Sequence, residues 1–127
     1  MIVLDASAAL AALLNAGQAR RLVSDDQLHA PHLVDAEVAS GLRRLAAAGT
    51  VAEENASAAL RTWQRLAVTR YPLVGLLDRT WELRHTVSTY DATYVALAES
   101  LDCTLVTADG RLSRSPGPRC TITVVPR

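Results

Sequence analysis

At 127 residues the chain has room for one well-buried core and little more, and half of its residues are apolar, which excludes disorder through lack of hydrophobicity. Thirteen basic residues, all arginine, balance thirteen acids to a formal net charge of zero, so any polyanion must be held locally rather than by an overall field. The absence of lysine excludes Schiff-base chemistry, a P-loop and a phospho-acceptor receiver domain. Two cysteines, Cys103 and Cys120, are too few for a disulfide framework and are expected as reduced thiols in the cytoplasm.

Ile2-Val3-Leu4 predicts a short strand that ends at Asp5, and the Ala/Leu-rich stretch to about Leu14 predicts a helix. This apolar start has no basic leader, and its uninterrupted run is far short of the ~20 residues that span a bilayer. Neither a signal peptide nor a membrane anchor is expected. A second short helix covers Gln18 to Val23, and Leu28 to Ala30 is a brief strand before Pro31. Val34, Val38, Leu42 and Leu45 form a helical stripe closed by Gly49, and Thr50 precedes another helix with Ala52, Ala56, Ala59, Leu60, Trp63 and Leu66 inward.

Val68 to Leu73 reads as a strand and Gly75 to about Val87 as a helix. Ser88 then opens a helix over Thr89 to Leu101 that is apolar on most sides. Thr104–Thr107 and Thr121–Val125 are β-branched strands joined by a Ser/Pro/Gly/Arg loop. Strands alternating with helices predict an α/β fold: one three-layer α/β/α domain over residues 1–127, around a central parallel sheet of about five strands. Neither GxGxxG nor GxxxxGK[ST] occurs, so both nucleotide fingerprints are missing.

In such a sheet, strand ends and the starts of the returning helices share one edge, where ligands bind. Asp5 ends the first strand, Glu37 falls in the first turn of the helix after the second, Asp91 opens the helix before the Thr104 strand, and Asp109 follows that strand. Asp102 belongs to the opposite edge. Each of the four has a local explanation in capping, the helix macrodipole or turn chemistry. None of these explains why all four share one rim. Two carboxylates about 4 Å apart repel by about 4 kcal/mol at an effective dielectric of 20, so such a cluster takes up protons or a cation. An all-oxygen donor set suits Mg²⁺ or Mn²⁺ rather than structural zinc. His29 and His32 read as solvated loop imidazoles, and His85 has no evident partner. Ser7 and Thr107, two residues from Asp5 and Asp109, are placed either to support a ligand carboxylate or simply to serve capping and strand propensity.

Taken in order, Ile2-Val3-Leu4-Asp5-Ala6-Ser7, Glu37-Val38 with Leu42-Arg43-Arg44, Tyr90-Asp91-Ala92 with Ala96-Leu97-Ala98-Glu99, and Leu105-Val106-Thr107-Ala108-Asp109 with Arg111-Leu112 resemble the PIN-domain ribonucleases, in particular VapC-type toxins. The resemblance runs nearly end to end. It implies a PIN-like fold, an Mg²⁺- or Mn²⁺-dependent endoribonuclease, Asp5, Glu37, Asp91 and Asp109 as the catalytic, metal-binding acids, and Ser7 and Thr107 as supporting groups. A homodimer and a VapB-like antitoxin whose tail blocks the acidic pocket are implied with them. Some relatives carry a further acid after the last motif; Gly110-Arg111-Leu112-Ser113 offers none, which favours one metal over two.

An acidic pocket repels phosphate, so nearby arginines are expected to guide RNA. Glu37, Ser40, Gly41 and Arg44 share one helix face, where Gly41 removes bulk and Arg44 reaches out; Arg43 and Arg44 read equally well as a solvated face. Arg111 and Arg114 belong to a stretch, Gly110 to Arg127, with four arginines and no acid. Trp63, on an apolar stripe, is assigned to the core or a dimer interface; Trp81, Tyr71 and Tyr94 carry no assignment. A haloacid-dehalogenase-like phosphatase would also gather acids here but needs a lysine. The alternative that stays open is a non-catalytic PIN-like module that binds RNA or protein.

Overall fold

Three-residue and four-residue runs can form the inner strands Ile2–Leu4, Leu28–Pro31 and Thr104–Thr107 because these are largely buried, as the middle of a parallel sheet requires, while the two edge strands are partly exposed. The computed structural model describes residues 1–127. In chain order the elements are β1 (Ile2–Leu4), α1 (Ala6–Leu14), α2 (Gln18–Asp25), β2 (Leu28–Pro31), α3 (Leu33–Ala47), α4 (Glu53–Arg65), β3 (Val68–Tyr71), a 3-10 turn (Val74–Leu76), α5 (Leu77–Glu82), α6 (Thr89–Leu101), β4 (Thr104–Thr107), α7 (Gly110–Arg114) and β5 (Ile122–Val124). All strand pairs are parallel, in the order β3-β2-β1-β4-β5. The expected α/β/α architecture with a five-stranded parallel sheet is the one observed.

The first strand in sequence is the central strand in space. Ile2, Val3 and Leu4 pair with Thr104, Leu105 and Val106 on one side, while Ile2 and Val3 pair with Leu28 and His29 on the other. Connections lead outward to β2 and β3 and then return past β1 to β4, so the chain reverses direction across the sheet between β1 and β4. That switch point is where such sheets open a crevice. Helices α1 and α3 pack on each other and against α4, while α6 covers β1, β2 and β4. From Ala92 to Ala98 every α6 residue is buried, and its run of alanines lets the helix lie close to the strands.

Several boundaries differ from the sequence reading for local reasons. β3 stops at Tyr71 because Pro72 has no N–H to continue the ladder. The expected helix from Gly75 to Val87 is reduced to α5; beyond Glu82 the backbone closes in tight turns, such as Arg84 N–H to Trp81 O and Thr86 N–H to Leu83 O. The loop expected before the last strand contains α7, which Asp109 caps by accepting from the Arg111 amide. α3 begins at Leu33, so Glu37 stands beyond its first turn and Asp35 is the first-turn acid instead. Trp63 is in the core, 2% exposed, and its indole donates to Asp35.

Candidate active site

Asp5, Glu37, Asp91 and Asp109 all line one cleft of about 1350 Å³ at the β1/β4 switch point. Asp5 is delivered by the end of the central strand and is 5% exposed. Its Oδ1 accepts from the Ala8 amide at 2.9 Å and from the Ser7 hydroxyl at 2.7 Å, so the same atom caps α1 and faces the cleft. Burial drives the Asp5 pKa upward, against the Thr107, Ala8 and Ser7 hydrogen bonds, and the charge of Asp91 pushes the same way. A carboxylate in this condition is short of positive charge.

Ser7 and Thr107 link the first and last acids. The Ser7 hydroxyl lies 3.2 Å from that of Thr107 and accepts from the Ala108 amide, while Thr107 Oγ1 accepts from the Asp109 amide at 3.0 Å. Asp91 sits in the first turn of α6, where the Ser88 hydroxyl accepts from its amide. Glu37 Oε1 accepts from the Tyr94 hydroxyl at 2.6 Å. Asp109 is engaged by Arg111, whose Nε and Nη2 lie 3.3 and 3.2 Å from its two oxygens, and the guanidinium holds the Asp109 pKa below the ordinary range.

The four acids therefore share a cleft without forming a closed ligand cluster: no three His, Cys, Asp or Glu side chains stand together as a group that could hold a metal ion. The physical reason is visible in two of them. Glu37 is engaged by the Tyr94 hydroxyl and Asp109 by the Arg111 guanidinium, so both carboxylates are already paired with donors of this chain. The donor set itself is all oxygen, and Asp5 is desolvated, so the residues suit a hard divalent ion in type. Neither His29 nor His32 lines the cleft. His29 lies on β2 rather than in a loop, with Nδ1 2.7 Å from the Tyr71 hydroxyl.

Of the four arginines assigned to RNA, Arg44 lines the cleft and is steadied by Ser40, and Arg111 reaches its edge through Asp109. Arg43 and Arg114 are exposed and do not line it. Arg127 does, and nothing in its local sequence marks it for that place. Gly41 serves packing: a Cβ there would collide with the Leu10 side chain, so the glycine sets how closely α1 and α3 approach. Tyr94 is the residue the sequence reading missed. Its one signal is its place three residues after Asp91 on the same helix face.

Leu10, Leu13, Leu14, Val51 and Ala59 also line the cleft, so its wall is apolar as well as acidic. On the opposite edge of the sheet, Cys103 and Cys120 are free thiols, as expected, and burial is the main force raising both, Cys120 to about 11. No helix is long and apolar enough to cross a membrane.

The PIN-domain family pattern matches residues 2–117. Ribonuclease VapC9 of Mycobacterium tuberculosis is 64% identical over 127 residues, covering 100% of both chains. Ribonuclease VapC1 of the same organism is 44% identical over 128 residues, covering 97% of this chain and 96% of the other. Among solved structures, the Sarcin-Ricin loop cleaving toxin VapC20 of M. tuberculosis superimposes with a TM-score of 0.65 at 26% identity, covering 90% of this chain and 94% of that one.

Proposed function

Because the chain belongs to the PIN-domain family and matches VapC ribonucleases over its whole length, we propose that it is a VapC-type endoribonuclease toxin whose cleft acids hold Mg²⁺ or Mn²⁺. The observation that carries this reading is the convergence of Asp5, Glu37, Asp91 and Asp109, from four separate stretches of chain, on one cleft beside a desolvated carboxylate. A divalent ion bound there supplies charge to the scissile phosphate and activates the attacking water.

The chain's own residues do the rest. Ser7 and the Ala8 amide fix the Asp5 carboxylate; Ser7 and Thr107 tie the end of β1 to the turn that carries Asp109. Arg44 and Arg127, on the cleft wall, offer guanidinium forks for the phosphates flanking the cut, positioning the strand without reading its sequence. Asp109, paired with Arg111 in this arrangement, would hold the ion together with Asp5, Glu37 and Asp91.

The partners proposed are an RNA substrate, a second copy of the chain and a VapB-like antitoxin. The mixed character of the cleft supports the last: its apolar lining fits a partner's apolar segment while its acids fit a cationic tail. Val74, Leu77 and Trp81, exposed on one side of the 3-10 turn and α5, supply apolar surface of the kind a homodimer covers.

The test is cleavage of a single-stranded RNA with and without Mn²⁺. Asp5→Asn and Asp91→Asn are expected to lose metal-dependent cleavage by at least a hundredfold while remaining folded; unchanged cleavage removes the assignment. One observation favours a second reading, a non-catalytic module: the acids are not grouped as ligands in this arrangement. That reading predicts RNA binding that Mn²⁺ never converts to cleavage.

A further inference from the structure

Tyr94 stands where the reaction needs a fixed carboxylate. It is 1% exposed, on the second turn of α6, and yet its hydroxyl lies in the wall of the acidic cleft. There it donates to Glu37 Oε1 at 2.6 Å, a bond between residues 57 positions apart that joins α6 to α3. Glu37 is the one cleft acid carried in mid-helix, beyond the first turn of α3, and Tyr94 is the only side chain that hydrogen-bonds its carboxylate.

We infer that Tyr94 is a positioning residue, which holds Glu37 so that one carboxylate oxygen is spent on the tyrosine and the other is presented to a cation. This rests on the reading of the cleft as a metal site. Two features make the hydroxyl suited to the task. It is a single donor on a rigid ring, so it fixes direction as well as distance. Its ring is packed into the core, so the bond costs little further side-chain entropy. Partners that orient a metal-binding carboxylate in this way are worth 10–100-fold in metal affinity.

Tyr94→Phe keeps the ring and its packing and removes the hydroxyl alone. Calorimetry with Mn²⁺ is expected to show binding weakened about tenfold or more, with thermal melting still cooperative. In RNA cleavage kcat is expected to fall by a similar factor, with KM for the RNA unchanged. A double-mutant cycle separates this role from simple packing. In a Glu37→Ala background the further change Tyr94→Phe is expected to cost nothing, whereas a packing role would persist at full size.

Mn²⁺ binding by Tyr94→Phe at the parent level, while Asp5→Asn fails to bind, overturns the inference and leaves the metal reading standing. So does an equal loss in the Glu37→Ala background. Mn²⁺ binding that Asp5→Asn also leaves intact overturns both.

Discussion

Asp5 carries two opposed demands, and their conflict is measurable. Its pKa is raised by burial, so stability is fully present below the ordinary carboxylate pKa and is lost as pH rises through the higher folded value. At neutral pH the metal-free protein therefore lacks stability that it has in acid. Asp5→Asn keeps an oxygen for the Ala8 amide and removes the charge, so it is expected to raise the metal-free melting temperature by about 2–5 °C while abolishing cleavage. Saturating Mn²⁺ should narrow or reverse that gap, because only the parent gains from the ion. Differential scanning calorimetry with and without Mn²⁺ checks both. Asp5, Asp91 and Asp109 were legible from topology, since strand ends and helix starts share an edge, whereas Glu37 reaches the cleft from mid-helix. Tyr94 and Arg127 were not, because each meets the cleft through a distant contact that no local pattern announces.

Among the elements, α3, α4 and β3 are joined by one side-chain cluster. Asp35 accepts from the Trp63 indole at 2.8 Å and from Arg70 Nε and Nη2 at 2.7 and 2.9 Å. Asp35→Ala is expected to cost about 1–3 kcal/mol, chiefly because the buried indole N–H loses its acceptor; the ion pair, whose carboxylate side is 45% exposed, adds less than about 1. The Arg70 hydrogen bond lowers the Asp35 pKa, so this contribution is present above the ordinary carboxylate pKa and disappears as pH falls through the folded one. Denaturant unfolding of parent and variant between pH 7 and pH 3 should show their difference shrinking in acid. The elements themselves were mostly legible, because the buried inner strands leave short apolar runs between helical patterns. Those misjudged are short and capped by side chains: Asp109 with Gly110 signals a turn as readily as the start of α7, and Glu37 was placed one turn too early because His32 and Leu33 carry no helix-start signal.

Over the whole molecule, zero net charge leaves RNA affinity to a few local cations. With Arg44, Arg111 and Arg127 as the contacts, the logarithm of affinity for single-stranded RNA is expected to fall with the logarithm of salt at a slope near −2, from about −0.7 per phosphate. Raising salt from about 50 to 200 mM then weakens binding roughly 10–20-fold. Arg127→Ala should reduce the slope by about 0.7, a change that a filter-binding titration of a catalytically silent variant resolves. The layered parallel architecture was legible in the alternation of strand and helix runs. The strand order was not, because neighbours in a parallel sheet are chosen by packing across the whole domain.

That order has a temporal side. The central strand is made first, and one of its two neighbours, β4, is among the last elements to be synthesised. Until residues 104–109 arrive, Asp5 has no Thr107 beside it, Asp109 is absent and the crevice lacks a wall. A growing polypeptide of this design thus lacks the finished crevice until its fourth strand has emerged, and a product terminated before that strand never acquires it.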